Sequence, residues 1–141
     1  MNDSLIVRNA FSVARSAHAE QTRRDGVTPY FRHVGEVAVR VRSNGGSEEA
    51  IAVAYLHDVL EDTQVTQENL EHAGFPAIVV EAVVAMTKRE GEPYEDYLQR
   101  VRANPLAAKV KVYDMLANLS DDPTGAQIVK YSKALLFLLS V

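Results

Sequence analysis

The 141-residue sequence predicts an all-α fold, and three observations support this. Apolar residues recur every three or four positions along nearly the whole chain, as on one face of a helix. The period-two alternation of a half-buried strand never lasts beyond a few residues. The breaks between apolar runs carry Ser, Thr or Asn caps, Gly or Pro. We therefore expect a helical bundle of about seven or eight helices, with residues 1–141 forming a single domain.

The N-terminal part of the chain predicts two helices separated by a loop. The first helix has its apolar face between Ile6 and Ala17, with Asp3 or Ser4 available as its N-cap. The segment 22–29 is polar and contains Gly and Pro, which is typical of a loop. A second helix is expected from about Tyr30 to Arg42, because valines and an alanine again follow helical spacing.

The third predicted helix follows the Asn-Gly-Gly stop at residues 44–46 and is capped by Ser47. Its apolar run ends at Leu56, and we expect the helix to continue through His57, Asp58 and Glu61. Further helices are expected in the C-terminal part of the chain. They run from Thr66 to near Gly74, from Pro76 to about Met86, from Pro93 to about Arg102, from Asn104-Pro105 to Leu119, and from about Thr124 to the end.

The composition excludes several classes of function. With no cysteine, the chain has no disulfide, no thiolate zinc site and no cysteine nucleophile. A formal net charge of -4 argues against nucleic-acid binding, which depends on a basic surface. No apolar run approaches the roughly 18 residues of a membrane span, and the N-terminus lacks the pattern of a secretory signal. We therefore expect a cytoplasmic protein.

Ionisable residues cluster where the apolar run of the third helix ends. His57 and Asp58 are followed by Glu61 and Asp62, so four ionisable groups fall within six residues. On a continuous helix, His57, Asp58 and Glu61 would project from neighbouring positions. An exposed acidic helix end is one interpretation of this cluster. A buried site in which a cation or another strong partner compensates the charges is the other.

Two distant residues favour the buried site. His33 lies at the start of the second helix, and Asp114 stands among apolar residues on an otherwise apolar helix, where a carboxylate needs a partner. Together with His57 and Asp58 they supply two imidazoles and two carboxylates. Such a set suits Mn²⁺, Fe²⁺, Zn²⁺ or a similar divalent ion, with positions left open for water and substrate.

An ordered series of motifs resembles the HD-domain phosphohydrolases, in particular the hydrolase domain of RelA/SpoT-type proteins and the stand-alone small alarmone hydrolases. The similarity covers about residues 5–120, and its blocks follow one another in the family's order. The blocks are Ala17–Gly26, Thr28–His33, Leu56–Thr63, Val84–Lys88 and Lys111–Leu119.

The resemblance implies an HD-type helical domain and a role for each motif residue. His33, His57, Asp58 and Asp114 correspond to the ligands of one divalent ion, usually manganese. Glu61 and Asp62 correspond to the pair that positions or deprotonates the attacking water. The implied substrate-binding residues are Arg23 and Arg24, which stack on the base or contact phosphate, and Lys111 and Asn118, which line the nucleotide pocket.

The activity implied is hydrolysis of the 3′-pyrophosphate of guanosine tetra- or pentaphosphate (ppGpp or pppGpp), which yields GDP or GTP and pyrophosphate. The expected partner is thus a small phosphorylated nucleotide. Two alternatives remain open, namely another phosphorylated nucleotide as substrate and a nucleotide-binding module with a weak site. The apolar last helix either packs on the core or forms a subunit contact in a homo-oligomer.

Four positions depart from the family pattern. Val34 stands where a proline usually follows the ligand histidine, and Met115 and Ala117 replace an arginine and a histidine. Asp121 falls where a small hydroxyl residue often holds the nucleotide. A carboxylate at this position would repel a polyphosphate unless it points away. These departures affect the substrate pocket more than the metal ligands.

Overall fold

The computed structural model describes residues 3–140, which fold into helices joined by turns and short loops, with no strand beyond one isolated bridge, so the predicted all-α class is confirmed. Within this range no helix is long and apolar enough to cross a membrane. Val141, expected in the last helix, lies outside the described residues. The nine helices are α1 (Leu5–Ala17), α2 (Phe31–Ser43), α3 (Glu48–Leu56), α4 (Val59–Asp62), α5 (Gln67–His72), α6 (Ala77–Ala85), α7 (Tyr94–Ala103), α8 (Pro105–Leu119) and α9 (Gly125–Leu139).

Several helices begin at a side-chain cap, and each of these caps lies where the sequence indicates. Ser4, rather than Asp3, caps α1, and the Asp3 carboxylate instead lies 2.7 Å from Arg42. A cap satisfies backbone N–H groups that have no partner within the helix, so each one fixes where its helix begins. The caps of the other helices that have one are Ser47 for α3, Thr66 for α5, Asn104 for α8 and Thr124 for α9.

The core is built around α3. Every residue from Ala50 to Leu56 is buried, and the helix packs against α1, α2, α6 and α8. A helix that is apolar on all sides is stable only when other elements surround it. This central position brings the C-terminal end of α3 close to both α2 and α8.

The third predicted helix is interrupted, which corrects the expectation that it continues through His57 and Asp58. In a continuous helix the Ala54 carbonyl would accept the N–H of Asp58. It accepts the Nδ1–H of the His57 side chain instead, at 2.6 Å. Helix α3 therefore ends at Leu56, and Asp58, with φ −108° and ψ 0°, begins the single turn α4. Counting this turn separately gives nine helices within residues 3–140, and counting it with α3 gives the expected eight.

The predicted loop at residues 22–29 is held in a compact shape. Thr22 and Pro29 pair across it as an isolated antiparallel bridge. The Asp25 carboxylate accepts hydrogen bonds from the backbone N–H of Val27 and from both the N–H and the hydroxyl of Thr28. These bonds explain why the pKa of Asp25 falls to about 2. The loop thus forms a defined wall next to α2.

The substitution Leu56→Ala tests how much the packing of α3 contributes to the stability of the fold. Its side chain is fully buried, so Leu56→Ala leaves a cavity and should lower the free energy of unfolding by about 2–5 kcal/mol. Leu136→Ala is the matched control, because Leu136 on α9 is 74% exposed and its truncation should change stability by less than about 0.5 kcal/mol. Urea unfolding measures both values. Equal losses would contradict the placement of Leu56 in the core.

Candidate metal centre and nucleotide pocket

Three chain segments bring four buried or half-buried ligand-type side chains together. His33 comes from α2, His57 and Asp58 from the break after α3, and Asp114 from α8. Potential ligand atoms of His33, His57 and Asp58 all lie within 4.8 Å of one another. Asp114 Oδ1 lies 2.9 Å from His33 Nε2 and 3.3 Å from His57 Nε2. The structure therefore brings together the four residues expected as metal ligands.

The surroundings of His57 fit a bound cation. Its Nδ1–H is committed to the Ala54 carbonyl, which leaves Nε2 as the free nitrogen of the neutral ring. Nε2 is buried and has no hydrogen-bond partner among residues 3–140, yet it lies 3.0 Å from Asp58 Oδ2 and 3.3 Å from Asp114 Oδ1. A lone pair facing two carboxylates is repulsive unless a proton or a cation lies between them. The backbone bond to Nδ1 is also the usual support of a metal-binding imidazole.

The pKa shifts of His57 and Asp58 also reflect the negative charge of the cluster. Burial acts to lower the pKa of His57, but Asp58 and Asp114 outweigh burial and raise that pKa well above its usual value. Burial acts to raise the pKa of Asp58, but the neighbouring His57 outweighs it and the pKa falls to about 2. Both carboxyl groups are thus ionised at neutral pH. A buried and a half-buried carboxylate that attract a proton to an imidazole also attract a divalent ion.

The ammonium group of Lys111 forms an ion pair with Asp114. Its ammonium group lies 2.9 Å from Asp114 Oδ2, one helical turn away on α8, and only 14% of its side chain is exposed. Burial acts to raise the pKa of Asp114, but Lys111 and then His57 lower it well below its usual value. The ammonium group also lies 5.5 Å from the ring centre of Tyr97. Lys111 is therefore in direct contact with Asp114, and its expected part in the nucleotide pocket stays a prediction.

Tyr30 is a site residue that the sequence analysis did not identify. Its hydroxyl donates a hydrogen bond to Asp58 Oδ2, and its ring lies 5.7 Å from that of His33. Burial and the charge of Asp58 raise the pKa of Tyr30 well above its usual value, so the hydroxyl keeps its proton. The only sequence signal was its place three residues before His33, on the same side of a helical turn.

His18 and Gln21 brace the same region. His18 is buried, and its Nδ1 donates to Gln21 Oε1 at 2.8 Å. Gln21 in turn donates to the backbone carbonyl of Asp62 at 2.6 Å. Burial lowers the pKa of His18, so this imidazole is neutral. The end of α1 is thereby tied to α4.

Glu61 and Asp62, the expected catalytic pair, lie at the exposed edge of the cluster. Glu61 Oε1 accepts the backbone N–H of Lys88 at 2.8 Å. Partial desolvation of the Asp62 carboxyl group, together with the negative charges of Asp58 and Glu61, raises its pKa to about 6. A carboxylate with such a pKa is a better proton acceptor near neutral pH than an ordinary aspartate.

Two cavities flank Arg23 beside the cluster. The larger has a volume of about 480 Å³ and includes His33, Arg32 and Asp121 in its wall, and the smaller has about 230 Å³ and includes Arg24 and Asn118. Arg23 belongs to both walls, and its guanidinium lies 5.8 Å from the ring centre of Tyr30. The structure therefore places three of the four expected substrate-binding residues, Arg23, Arg24 and Asn118, in one pocket region.

The positions that depart from the family pattern fall into two groups. Val34, Met115 and Ala117 are fully buried in the core, so they present no group to the cavities. Asp121 does line the larger cavity, but its carboxylate is paired with Arg23 at 2.8 Å. Arg32, which the sequence analysis did not assign, also faces the larger cavity and adds a cation one residue before His33.

Several known proteins are similar to this chain in sequence. Residues 10–135 match the family model described as HD domain. The chain is 31% identical over 121 residues to the guanosine-3′,5′-bis(diphosphate) 3′-pyrophosphohydrolase of Aquifex aeolicus, a match that covers 80% of this chain and 17% of that protein. It is 37% identical over 90 residues to the bifunctional (p)ppGpp synthase/hydrolase SpoT of Escherichia coli, covering 64% of this chain and 12% of that protein.

A solved structure has the same fold over nearly the whole chain. It is described as a metazoan ortholog of SpoT that hydrolyzes ppGpp and plays a role in starvation responses. The superposition has a TM-score of 0.83 at 25% sequence identity, and it covers 99% of this chain and 88% of that one. The chain spans less than a fifth of the two curated relatives, whereas it corresponds to most of this structural neighbour.

Tyr30→Phe tests whether the hydrogen bond to Asp58 supports a metal site. The substitution removes the donor to Asp58 Oδ2 while keeping the ring, so affinity for Mn²⁺ should fall about 10- to 100-fold. Titration of the metal-free protein with Mn²⁺ measures the affinity. Tyr131→Phe on α9 is the control, since its hydroxyl bonds none of the four proposed ligands, and it should bind Mn²⁺ like the wild type. Unchanged affinity in Tyr30→Phe would remove Tyr30 from the site.

Proposed function

The chain belongs to the HD domain family, and from this premise we propose that it is a metal-dependent hydrolase of the 3′-pyrophosphate of guanosine tetra- or pentaphosphate. The observation that carries the proposal is the buried His57 Nε2 facing two carboxylates, beside a cavity that has arginines in its wall. Relatives and the structural neighbour described as ppGpp hydrolases support the choice of substrate. The products are GDP or GTP and pyrophosphate.

We propose His33, His57, Asp58 and Asp114 as the ligands of one divalent ion, with Mn²⁺ as the first candidate. Two nitrogens and two carboxylate oxygens suit such an ion. When bound, it supplies Lewis acidity that makes water more acidic and offsets charge on the phosphoryl oxygens. Tyr30 and Lys111 hold Asp58 and Asp114 in position by their hydrogen bonds.

Asp62 is the proposed general base. Its raised pKa of about 6 and its position at the exposed edge of the cluster suit a group that removes a proton from water. Glu61, held by the Lys88 backbone N–H, orients the water beside it. Water forms a bond to the phosphorus attached to the 3′-oxygen while the bond between this phosphorus and the 3′-oxygen breaks. Asp62 accepts the proton of the water, and the released 3′-oxygen takes up a proton from solvent.

Arg23, Arg24 and Asn118 are proposed as substrate-binding residues, because they line the two cavities that flank Arg23. A substrate contact by Lys111 stays a prediction. Their guanidinium and amide groups match phosphate oxygens and the polar edge of a base. We also propose that residues 1–141 act as one HD-type domain in the cytoplasm. The homo-oligomer suggested by the apolar α9 stays a prediction, as does the absence of a nucleic-acid partner.

A different phosphorylated nucleotide is the second candidate substrate. The observation that favours it is Asp121, since its carboxylate adds negative charge to the wall of the larger cavity. A nucleotide with fewer phosphates would meet less repulsion there. Assays that compare guanosine tetraphosphate with nucleoside monophosphates and 3′-phosphorylated nucleotides separate the two candidates.

The activity itself is tested with purified, Mn²⁺-loaded protein and guanosine tetraphosphate. We expect release of GDP and pyrophosphate, resolved by anion-exchange chromatography, and loss of this release in EDTA. Asp58→Asn should lower kcat/KM by more than about 100-fold, because it removes a proposed ligand. Asp96→Asn is the matched control, made on the exposed side of α7, and should keep wild-type activity. No release of pyrophosphate by the wild type would refute the proposed substrate.

Asp62→Asn tests the general base separately from the metal site. Because the amide cannot accept the proton, kcat should fall by about 100- to 10,000-fold. Affinity for Mn²⁺ should stay at the wild-type value, since Asp62 is not one of the four proposed ligands. The two measurements together distinguish a base from a ligand, and a parallel loss of Mn²⁺ affinity would assign Asp62 to the metal instead.

A further inference from the structure

The guanidinium of Arg23 lies against three side chains that differ in charge. Its Nη2 donates to Asp121 Oδ2 at 2.8 Å and reaches Asn118 Oδ1 at 3.4 Å, and its guanidinium faces the ring of Tyr30. Only 17% of the Arg23 side chain is exposed, against 55% for Asp121. Of the three neighbours, Asp121 alone carries a full negative charge. The guanidinium proposed to meet substrate is therefore already neutralised by the protein.

Because Arg23 lines both cavities, its ion pair with Asp121 affects how an anionic ligand can bind there. Arg23 forms part of the wall of both cavities, and the larger one also contains His33. An anion bound in the larger cavity would therefore be surrounded by a wall that contains both His33 and the guanidinium paired with Asp121. A phosphate oxygen and a carboxylate oxygen make the same kind of charge-assisted hydrogen bond to a guanidinium. The two groups therefore compete for the same donor.

The turn that carries Asp121 is held in place by further contacts. Ser120 Oγ donates to the Leu116 carbonyl at 2.9 Å and accepts from Arg40 at 3.0 Å. Asp122 adopts φ +46°, a left-handed conformation that is uncommon outside glycine. Contacts that hold a turn in such a conformation fix the residue beside it. Asp121 is thus presented to Arg23 by an anchored turn rather than by a free surface side chain.

We propose that Asp121 occupies the place of a substrate phosphate on Arg23 and acts as an internal competitor that weakens the binding of polyphosphates. The identity of the polyphosphate rests on the proposed function, whereas the competition applies to any phosphate anion that reaches Arg23. Binding of substrate requires Arg23 to exchange the carboxylate for a phosphate oxygen.

The first test measures binding of inorganic pyrophosphate to the metal-free protein in EDTA by isothermal titration calorimetry. Asp121→Asn keeps the size and polarity of the side chain but removes the charge, and it should tighten binding about two- to fivefold, the range expected for an exposed ion pair. Asp122→Asn is the matched control, since it removes the same charge one residue away and asparagine tolerates the left-handed conformation. It should leave the affinity unchanged.

Each other outcome of this titration contradicts the proposal. Equal tightening by both variants would mean a general effect of net charge. Weaker or unchanged binding in Asp121→Asn would mean that Asp121 does not compete. If neither the wild type nor Asp121→Asn binds pyrophosphate, the Arg23 guanidinium does not bind phosphate even when the charge of Asp121 is removed. Circular dichroism of each variant confirms that the helical fold is retained.

A double-mutant cycle tests whether the competition acts through Arg23. In an Arg23→Gln background the further change Asp121→Asn should have no effect on pyrophosphate affinity. A remaining gain would place the effect elsewhere and overturn the proposal. With guanosine tetraphosphate, Asp121→Asn should lower KM and leave kcat unchanged. If the wild type does not cleave this nucleotide, the proposed function fails while the pyrophosphate titrations still decide the role of Asp121.

Discussion

The buried carboxylate of Asp114 is the constraint on which the site depends. An ionised carboxylate removed from water requires compensating charge or strong hydrogen bonds, and this one lies within the helical core. Lys111 supplies a cation from the same helix, and His33 and His57 supply ring nitrogens at 2.9 and 3.3 Å. Those partners come from three different segments, so compensating one charge fixes α2, the end of α3 and α8 relative to one another. The geometry that suits a metal ion is therefore a consequence of how the core accommodates Asp114.

The interruption of α3 belongs to the same arrangement. Continuing the helix would have used the Ala54 carbonyl for the backbone, and His57 would have lost the bond that fixes its ring. With the carbonyl committed to Nδ1, Nε2 faces Asp58 and Asp114, and the chain turns so that Asp58 reaches the cluster as well. One local side-chain bond thus fixes which nitrogen of His57 faces the carboxylates, accompanies the end of a helix and leaves the neighbouring aspartate in the cluster.

The local sequence predicted the helices well because caps and apolar spacing act over a few residues. Ser47, Asn104 and Thr124 cap the helices that they were expected to begin. The break at His57 was missed because a side chain that captures a backbone carbonyl leaves no trace in hydrophobic spacing. Tyr30 was missed for a related reason, since its partner Asp58 is 28 residues away and only the tertiary fold brings them together. The pairing of Asp121 with Arg23 spans 98 residues, so sequence showed only an unexpected carboxylate.

The basic residues that the family resemblance assigns to substrate binding already form ion pairs or hydrogen bonds with other residues of the protein. Lys111 is paired with Asp114, Arg23 with Asp121, and Arg24 donates to Gln127 at 3.2 Å. Arg32 is different, because it is exposed, faces the larger cavity and forms no ion pair within residues 3–140. An incoming polyphosphate can therefore meet Arg32 without displacing a carboxylate, whereas contact with Arg23 requires an exchange. Affinity for an anion in this cavity then depends on the balance between these two arginines and the carboxylates of Asp25, Glu36 and Asp121 that share its wall.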